Sequence, residues 1–195
     1  MRALLAAAAA LVALAACQTV PLRPMTAPGP GARTALATLP AWHAAGRVAV
    51  RAGAAGWNAS FDWRERGGAG ELGVRGPFGA GVAHISRSAD RIRIDGGGPP
   101  LELEPPFTAL ESELAARLGF ALPIEALRYW ILGIPAPDVA SDGEGATFRQ
   151  SGWSVGCSRY TAVEGLASAL PTRLELSRGA TRIRVIIDRW QVGGG

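Results

Sequence analysis

The sequence predicts a mainly β fold with a helical insert, in which an antiparallel sheet curls towards an open barrel. Two observations support this fold class. Short segments of alternating apolar and polar residues are separated by Gly-rich turns, as in an antiparallel meander. This pattern stops at Pro105 and Pro106, where two segments with helical spacing follow, and it resumes after Pro137. The length of 195 residues suits one domain.

The N-terminus has the features of an exported protein. Arg2 supplies one positive charge, and an apolar run follows from Ala3 to Ala16. This run is shorter than the roughly 20 residues of a transmembrane helix, so we predict a signal peptide over residues 1–16. The sequence Leu-Ala-Ala-Cys that ends at Cys17 resembles the bacterial lipobox, in which the Cys is lipidated. The alternative is an ordinary signal peptide whose cleavage site contains a Cys.

A composition shift separates the N-terminus from the predicted domain. Residues 17–39 are expected to form the lipidated Cys and a flexible tether, because prolines and glycines in this segment break regular elements. The β-barrel domain is expected to span residues 40–192, with folded structure starting near Trp42.

The charges favour surface solvation over a nucleic-acid interface. All 20 basic residues are Arg, against 16 acidic residues, and loss of Arg2 with the signal peptide lowers the net charge from +4 to +3. The charges are interspersed along the chain and form no basic stripe. We therefore expect no nucleic-acid partner and only weak attraction to anionic lipid.

Six strands are predicted before the insert. From Trp57 to Arg64 every second residue is apolar, which is typical of a half-buried antiparallel strand. Shorter alternating segments lie on both sides of it and end at Gly-rich turns. The six predicted strands are Gly46–Arg51, Trp57–Arg64, Glu71–Arg75, Val82–Arg87, Arg91–Asp95 and Leu101–Leu103.

The insert is predicted to contain two helices that cover one open end of the curled sheet. The first helix ends at Gly119, and the second begins at Pro123 and ends at Gly133. Their apolar residues recur at helical spacing, namely Phe107, Leu110, Leu114 and Leu118 in the first helix, and Ile124, Leu127, Trp130 and Ile131 in the second.

Four strands are predicted after the insert. Arg178 and Gly179 form a hairpin signal between the last two of them. In the last strand the alternation turns Ile187 towards the core and places Ile186 and Trp190 on the outer face. The predicted strands are Ala146–Gln150, Trp153–Tyr160, Leu174–Leu176 and Arg182–Trp190.

No set of residues specific to catalysis or metal binding stands out. The only histidines are His43 and His84, and we expect His84 at the surface or rim of the sheet. Metal-ligand spacing and a Gly-x-Ser-x-Gly motif are absent from the sequence. A Ser/His/Asp triad assembled from distant positions stays open, and with it a lipid-processing hydrolase. Cys157 is predicted to be a buried thiol. We predict no catalytic residue, no metal, no cofactor and no enzymatic activity.

Phe78 is a bulky apolar residue in the Gly-rich turn from Gly76 to Gly81. Burial of a Phe side chain is worth about 1.5–3 kcal/mol, enough to fold the turn back onto the core or to drive it into another apolar phase. Both interpretations of Phe78 stay open at this point.

Several short motifs, each weak alone, form a specific set through their order and spacing. They are the lipobox, Gly46-Arg47, Trp57 to Trp63, Gly76-Pro77-Phe78-Gly79, Leu122-Pro123-Ile124, Leu127 to Pro135, Gln150 to Trp153, Leu170-Pro171 and Ile186 to Trp190. In this set the chain resembles the family of the outer-membrane lipoprotein receptor LolB of Gram-negative bacteria.

This resemblance implies a half-barrel, lidded by short helices around an apolar cavity. It implies a receptor that accepts acylated lipoproteins from a LolA-like periplasmic carrier and inserts them into the outer membrane. The chain would sit at the periplasmic face of the cell outer membrane, lipid-anchored through Cys17, in keeping with Gln18 after that Cys. Phe78 would occupy the membrane-insertion loop, where the family often has Leu. We expect a monomer.

The aromatic and aliphatic residues on the predicted inner faces are candidates for the acyl-chain cavity or its lid. Core packing is the alternative for each, because a stripe at strand or helix spacing is typical of a core. The alternative function is a non-transport periplasmic lipoprotein scaffold that binds envelope proteins and has a filled core. The candidate residues are Trp57, Phe61, Trp63, Leu127, Trp130, Ile131 and Ile187.

Overall fold

The computed structural model describes residues 26–77, 82–107, 109–118, 120–143 and 145–193. Cys17 and Phe78 lie outside these residues, so the predictions of a lipid anchor and of a membrane-insertion loop fall outside the described part of the chain. Among the described residues, no helix combines the length and the apolar character that a membrane span requires.

One antiparallel sheet of eleven strands forms the body of the protein. Its strands follow the order β6-β5-β4-β3-β2-β1-β11-β10-β9-β8-β7, so β1 pairs with β11 and the sheet stays open between β6 and β7. The strands are β1 (Ala41–Ala52), β2 (Ala55–Arg66), β3 (Ala69–Arg75), β4 (Val82–Arg87), β5 (Ile92–Asp95), β6 (Leu101–Leu103), β7 (Ser141–Asp142), β8 (Thr147–Gln150), β9 (Trp153–Thr161), β10 (Leu170–Arg178) and β11 (Thr181–Val192).

The predicted fold class is confirmed: the structure is a mainly β, open antiparallel sheet with a few short helices. The two-residue strand β7 was not predicted, and β10 begins four residues before the predicted Leu174. Pro171 lies in this extension, and proline weakens a strand signal because it has no backbone N–H to donate.

The alternation of β11 changes phase at a bulge, which corrects the prediction for Trp190. Gly46 pairs with Ile187 but Ala45 pairs with Arg189, so one extra residue enters β11 at Asp188. Trp190 therefore turns towards the core, where its ring lies 5.9 Å from that of Trp42. Its Nε1 donates a hydrogen bond of 2.9 Å to the carbonyl of Pro171.

A helix, α1 (Pro30–Ala37), precedes the sheet, although no regular element was predicted before Leu39. Proline is well tolerated in the first turn of a helix, where its missing N–H has no intrahelical partner, so Pro30 begins this helix rather than breaking it. Leu36 is 2% exposed in the main core. Among the described residues, regular structure thus begins at Pro30, ahead of Trp42.

The insert contains the two predicted helices, α2 (Leu110–Leu118) and α3 (Ile124–Trp130). The buried apolar residues form two clusters. The larger fills the concave face of the sheet, and the smaller joins Leu110 and Leu114 of α2 to Ile92 and Ile94 of β5. Helix α3 contributes to both clusters, so it bridges them.

Gly46 allows β1 and β11 to approach closely at the bulge. A Cβ at this position would clash with the carbonyl of Ile186, which is backbone and cannot move aside alone. We expect Gly46→Ala to lower the free energy of unfolding by about 3 kcal/mol, a large effect for one methyl group. Urea unfolding of the purified protein measures this change.

Gly31→Ala is the matched control, because nothing lies within 4 Å of the Cβ it would add in α1. Alanine in place of glycine should stabilise that helix by up to about 1 kcal/mol. Equal stability of the two variants would contradict the close approach at Gly46.

Candidate functional site

An apolar cavity of about 160 Å³ lies between the concave face of the sheet and the helical insert. It occupies the seam between the two buried clusters, since Leu72, Leu122 and Leu127 pack against both of them. Strands β1 to β5, β10 and β11 contribute to one wall, and the insert supplies the other. The alternative function, a periplasmic lipoprotein scaffold with a filled core, would leave no such cavity.

Five of the seven predicted cavity residues line this cavity, namely Trp57, Phe61, Trp63, Leu127 and Ile131. Trp57 is 37% exposed, whereas Phe61 and Trp63 are buried. The alternation of β2 brings these three aromatic side chains to the concave face, as the sequence pattern predicts.

Trp130 and Ile187 are buried in the main cluster and are not among the described residues that line the cavity. Ile131 directly follows α3 and continues its path four residues after Leu127, whereas Trp130 lies about 100° around the helix from Ile131. The ring of Trp130 is directed at Trp153, with 6.4 Å between the ring centroids.

The side-chain amide of Gln150 holds the C-terminal end of α3 against strand β8. Gln150 is 2% exposed. Its Oε1 accepts hydrogen bonds from Trp130 Nε1 at 2.7 Å and from the backbone N–H of Ala136 at 2.8 Å. Its Nε2 donates to the carbonyls of Ala136 at 2.9 Å and Val139 at 2.8 Å. Each polar atom of the buried amide is therefore satisfied.

A buried carboxylate ties the last turn of α3 to the sheet. Glu65 of β2 is 4% exposed, and its carboxylate accepts hydrogen bonds from Arg87 at 2.6 Å and from Trp63 Nε1 at 3.0 Å. Arg128 of α3 lies 3.6 Å from the same group. Burial raises the pKa of Glu65, while Arg87 and Arg128 act in the opposite direction.

Arg117 is the one charged residue among the described residues that line the cavity. It donates hydrogen bonds to the carbonyls of Gly96 at 3.1 Å and Pro99 at 2.7 Å, in the turn between β5 and β6. The guanidinium group of Arg117 is thus hydrogen-bonded to backbone carbonyls, and these bonds link α2 to this turn.

The family model described as "Outer membrane lipoprotein LolB" matches residues 40–190 of the chain. The chain belongs to the LolB family. Relatives that carry the name "Outer-membrane lipoprotein LolB" include three bacterial proteins. The relative from Halorhodospira halophila is 36% identical over 76% of this chain and 74% of its own length.

Two further LolB relatives match almost end to end. The relative from Alkalilimnicola ehrlichii is 33% identical over 98% of this chain and 97% of its own length. The relative from Nitrosococcus oceani is 31% identical over 94% of each chain. A solved structure of a DUF1329 family protein from Desulfovibrio piger aligns with a TM-score of 0.49 at 6% identity, over 84% of this chain and 90% of that one.

The two histidines and the described cysteine are not among the described residues that line the cavity. His43 has both ring nitrogens engaged, at 2.9 Å from Asp62 Oδ2 and 2.9 Å from Gln191 Oε1. His84 is exposed, as predicted. Cys157 is buried as predicted, and burial raises its thiol pKa to about 12, which disfavours the reactive thiolate.

Most aliphatic residues of the cavity wall were not predicted individually. Their signal is the strand alternation itself: once β1 and β11 are assigned, their inward positions include Val48, Val50, Ile183 and Val185. No comparable sequence signal marks the charged residues of the site, because their partners come from distant parts of the chain. These residues are Glu65, Arg87, Arg117 and Arg128.

Replacement of Arg87 tests the buried carboxylate. Arg87→Gln leaves Glu65 with Arg128 as its remaining cation, at 3.6 Å, and loss of one partner from a buried pair costs about 3 kcal/mol. The pKa of Glu65 is already raised in the fold and rises further without Arg87. Protonation on acidification then favours the folded variant, so its deficit should shrink between neutral pH and about pH 5.

Arg64→Gln is the control for this prediction, because Arg64 forms an exposed ion pair with Asp62 that should be worth less than about 1 kcal/mol. Urea unfolding of both variants at the two pH values gives the comparison. A deficit for Arg87→Gln that equals the control, or that grows on acidification, would contradict the role of Glu65.

Proposed function

We propose that this protein is an outer-membrane receptor that accepts acylated lipoproteins from a periplasmic carrier and inserts them into the outer membrane. The observation that carries the proposal is the apolar cavity at the seam between sheet and insert, in a chain of the LolB family. We propose that five residues of the cavity wall contact the acyl chains, namely Trp57, Phe61, Trp63, Leu127 and Ile131. Trp130 and Ile187 are proposed to support that wall from the core.

Transfer of an acyl chain needs a dry surface and a difference in affinity, with no chemical step. Each methylene group removed from water contributes about 0.8 kcal/mol, so a bare acylated protein does not cross the aqueous space unaided. An affinity difference of about 1.4 kcal/mol between carrier and receptor gives a tenfold bias in direction. The protein therefore acts without enzymatic activity or cofactor in this proposal.

The cavity must enlarge to take acyl chains. A volume of about 160 Å³ is close to that of an engineered cavity that holds one benzene molecule. Helix α3 is held by the hydrogen bond of Trp130 to Gln150 and by the ion pair of Arg128 with Glu65. Helix α2 contacts the sheet through the apolar residues of the smaller cluster and through the hydrogen bonds of Arg117. Movement of α2 is thus the opening that disrupts the fewest polar contacts.

The membrane attachment belongs to the same proposal. Cys17 would carry the acyl anchor at the periplasmic face of the outer membrane, and residues before α1 would act as the tether. Phe78 would enter the membrane from the loop that follows Pro77. The receptor would work as a monomer, with a LolA-like protein as carrier.

Leu127→Trp tests the cavity directly. The larger side chain would occupy space between α3 and the sheet, where overpacking costs about 1–3 kcal/mol, so the accepted fraction of acyl chains should fall about tenfold. The measurement follows a radiolabelled triacylated lipoprotein from its loaded carrier to the mature protein. Far-UV circular dichroism and urea unfolding establish that the variant is folded.

Val139→Trp is the matched control, since Val139 is 46% exposed and is not among the described residues that line the cavity. This control should accept label as the unchanged protein does. Label that stays on the carrier with the unchanged protein, or that moves equally well to Leu127→Trp, would overturn the proposed function.

A further inference from the structure

The outer face of the sheet gathers arginines that are dispersed in the sequence. Register across neighbouring strands brings them together on β1, β3, β8, β10 and β11, on the face opposite to the cavity. Six of them are exposed and Arg173 is half-buried. We call this set the arginine face; it consists of Arg47, Arg51, Arg75, Arg149, Arg173, Arg182 and Arg184.

One row of the arginine face runs across five strands. Arg75 of β3 pairs with Ser60 of β2, which pairs with Arg47 of β1. Arg47 in turn pairs with Ile186 of β11, which pairs with Arg173 of β10. Residues aligned in this way project from the same face of the sheet.

A second row lies nearer the hairpin turns. Arg51 of β1 is directly opposite Arg182 of β11, and the row continues through Ser177 of β10 and Ser154 of β9 to Arg149 of β8. Like charges directly opposite one another on antiparallel strands are destabilising. The pair of Arg51 and Arg182 therefore favours binding of an external anion.

Three carboxylates offset part of this positive charge, and one of them, Asp142 of β7, lies directly opposite Arg149 in the register. Asp188 accepts hydrogen bonds from Arg47 at 2.9 and 3.0 Å, and Glu175 lies 2.6 Å from Arg173 and 3.4 Å from Arg184. Three guanidinium groups have no carboxylate partner among the described residues, namely those of Arg51, Arg75 and Arg182. The face thus keeps a local excess of positive charge.

The shape of the arginine face suits a broad anionic surface. The face extends over seven neighbouring strands, or roughly 29 Å at a strand spacing of about 4.8 Å. Small and apolar residues lie among the arginines, including Ala49, Pro77 and Ile186. Such a mixture of cationic and apolar side chains matches the interface of a bilayer, where each Arg near an anionic membrane adds to the attraction.

We propose that the arginine face binds the headgroups of anionic phospholipids and thereby orients the domain on the membrane. The proposal rests on the proposed function only for the location of the protein at a membrane. It adds a second contact with lipid, made by charge on the outer face, which is separate from the cavity on the inner face.

The test uses the mature chain, residues 17–195, with Cys17→Ser so that no acyl anchor is attached. Sedimentation with phosphatidylcholine vesicles is compared with sedimentation with vesicles that also contain phosphatidylglycerol. The unchanged chain should prefer the anionic vesicles, and added salt should remove this preference. Arg51→Gln with Arg182→Gln should weaken binding to anionic vesicles roughly 25-fold, about fivefold for each charge removed.

Arg64→Gln with Arg91→Gln is the matched control, because it removes the same charge from exposed positions at the opposite rim of the sheet. This control should weaken binding less than about threefold, since distant charges are screened within about 10 Å. If both double variants lose the same affinity for anionic vesicles, net charge alone explains the binding and the proposal is overturned. Equal binding of the unchanged chain to neutral and anionic vesicles would also overturn it.

Transfer from a loaded carrier in solution separates this proposal from the proposed function. Arg51→Gln with Arg182→Gln should accept labelled lipoprotein normally, because neither residue lies among the described residues that line the cavity. Loss of transfer with unchanged vesicle binding would assign the arginine face to an acidic protein partner and contradict the lipid proposal. Failure of the unchanged chain to accept label would contradict the proposed function alone.

Discussion

The apolar concave face of an open sheet is the constraint on which the rest of this structure depends. Eleven antiparallel strands curl without closing, so the inner side chains of β1, β2, β10 and β11 need a cover that the sheet does not provide. Two short helices supply that cover, yet they divide the buried residues into two clusters. The space left where the clusters meet is the cavity, and the proposed function follows from it.

Polar contacts decide which part of the cover is fixed. Gln150 and Glu65 each satisfy several donors in buried surroundings, and both hold α3, so displacement of that helix would leave buried polar groups unpaired. Helix α2 meets the sheet mainly through aliphatic residues, and its polar contacts with the turn between β5 and β6 are the hydrogen bonds of Arg117, so its movement breaks fewer polar contacts than movement of α3. A receptor that must open and still keep its fold benefits from this division.

Local patterns predicted the class of fold, most strands, both insert helices and five of the cavity residues, because alternation and helical spacing are local signals. The errors arose where a distant contact changed the local rule. A bulge at Asp188 turns Trp190 towards the core. Burial of Leu36 in the main core stabilises a helix in a segment rich in Pro and Gly. The arginine face could not be predicted either, since it exists only in the register of strands from both ends of the chain.

The most direct test of the account is whether an acyl chain lies beside Trp57. A lipopeptide with brominated acyl chains quenches nearby tryptophan fluorescence, and Trp57 lines the cavity while Trp190 packs on Trp42 in the core. We expect quenching in the unchanged protein that Trp57→Phe reduces, with Trp63 as the second tryptophan of the cavity wall, and that Trp190→Phe leaves in place. Absence of quenching, or quenching that Trp57→Phe leaves unchanged, would contradict an acyl-binding cavity.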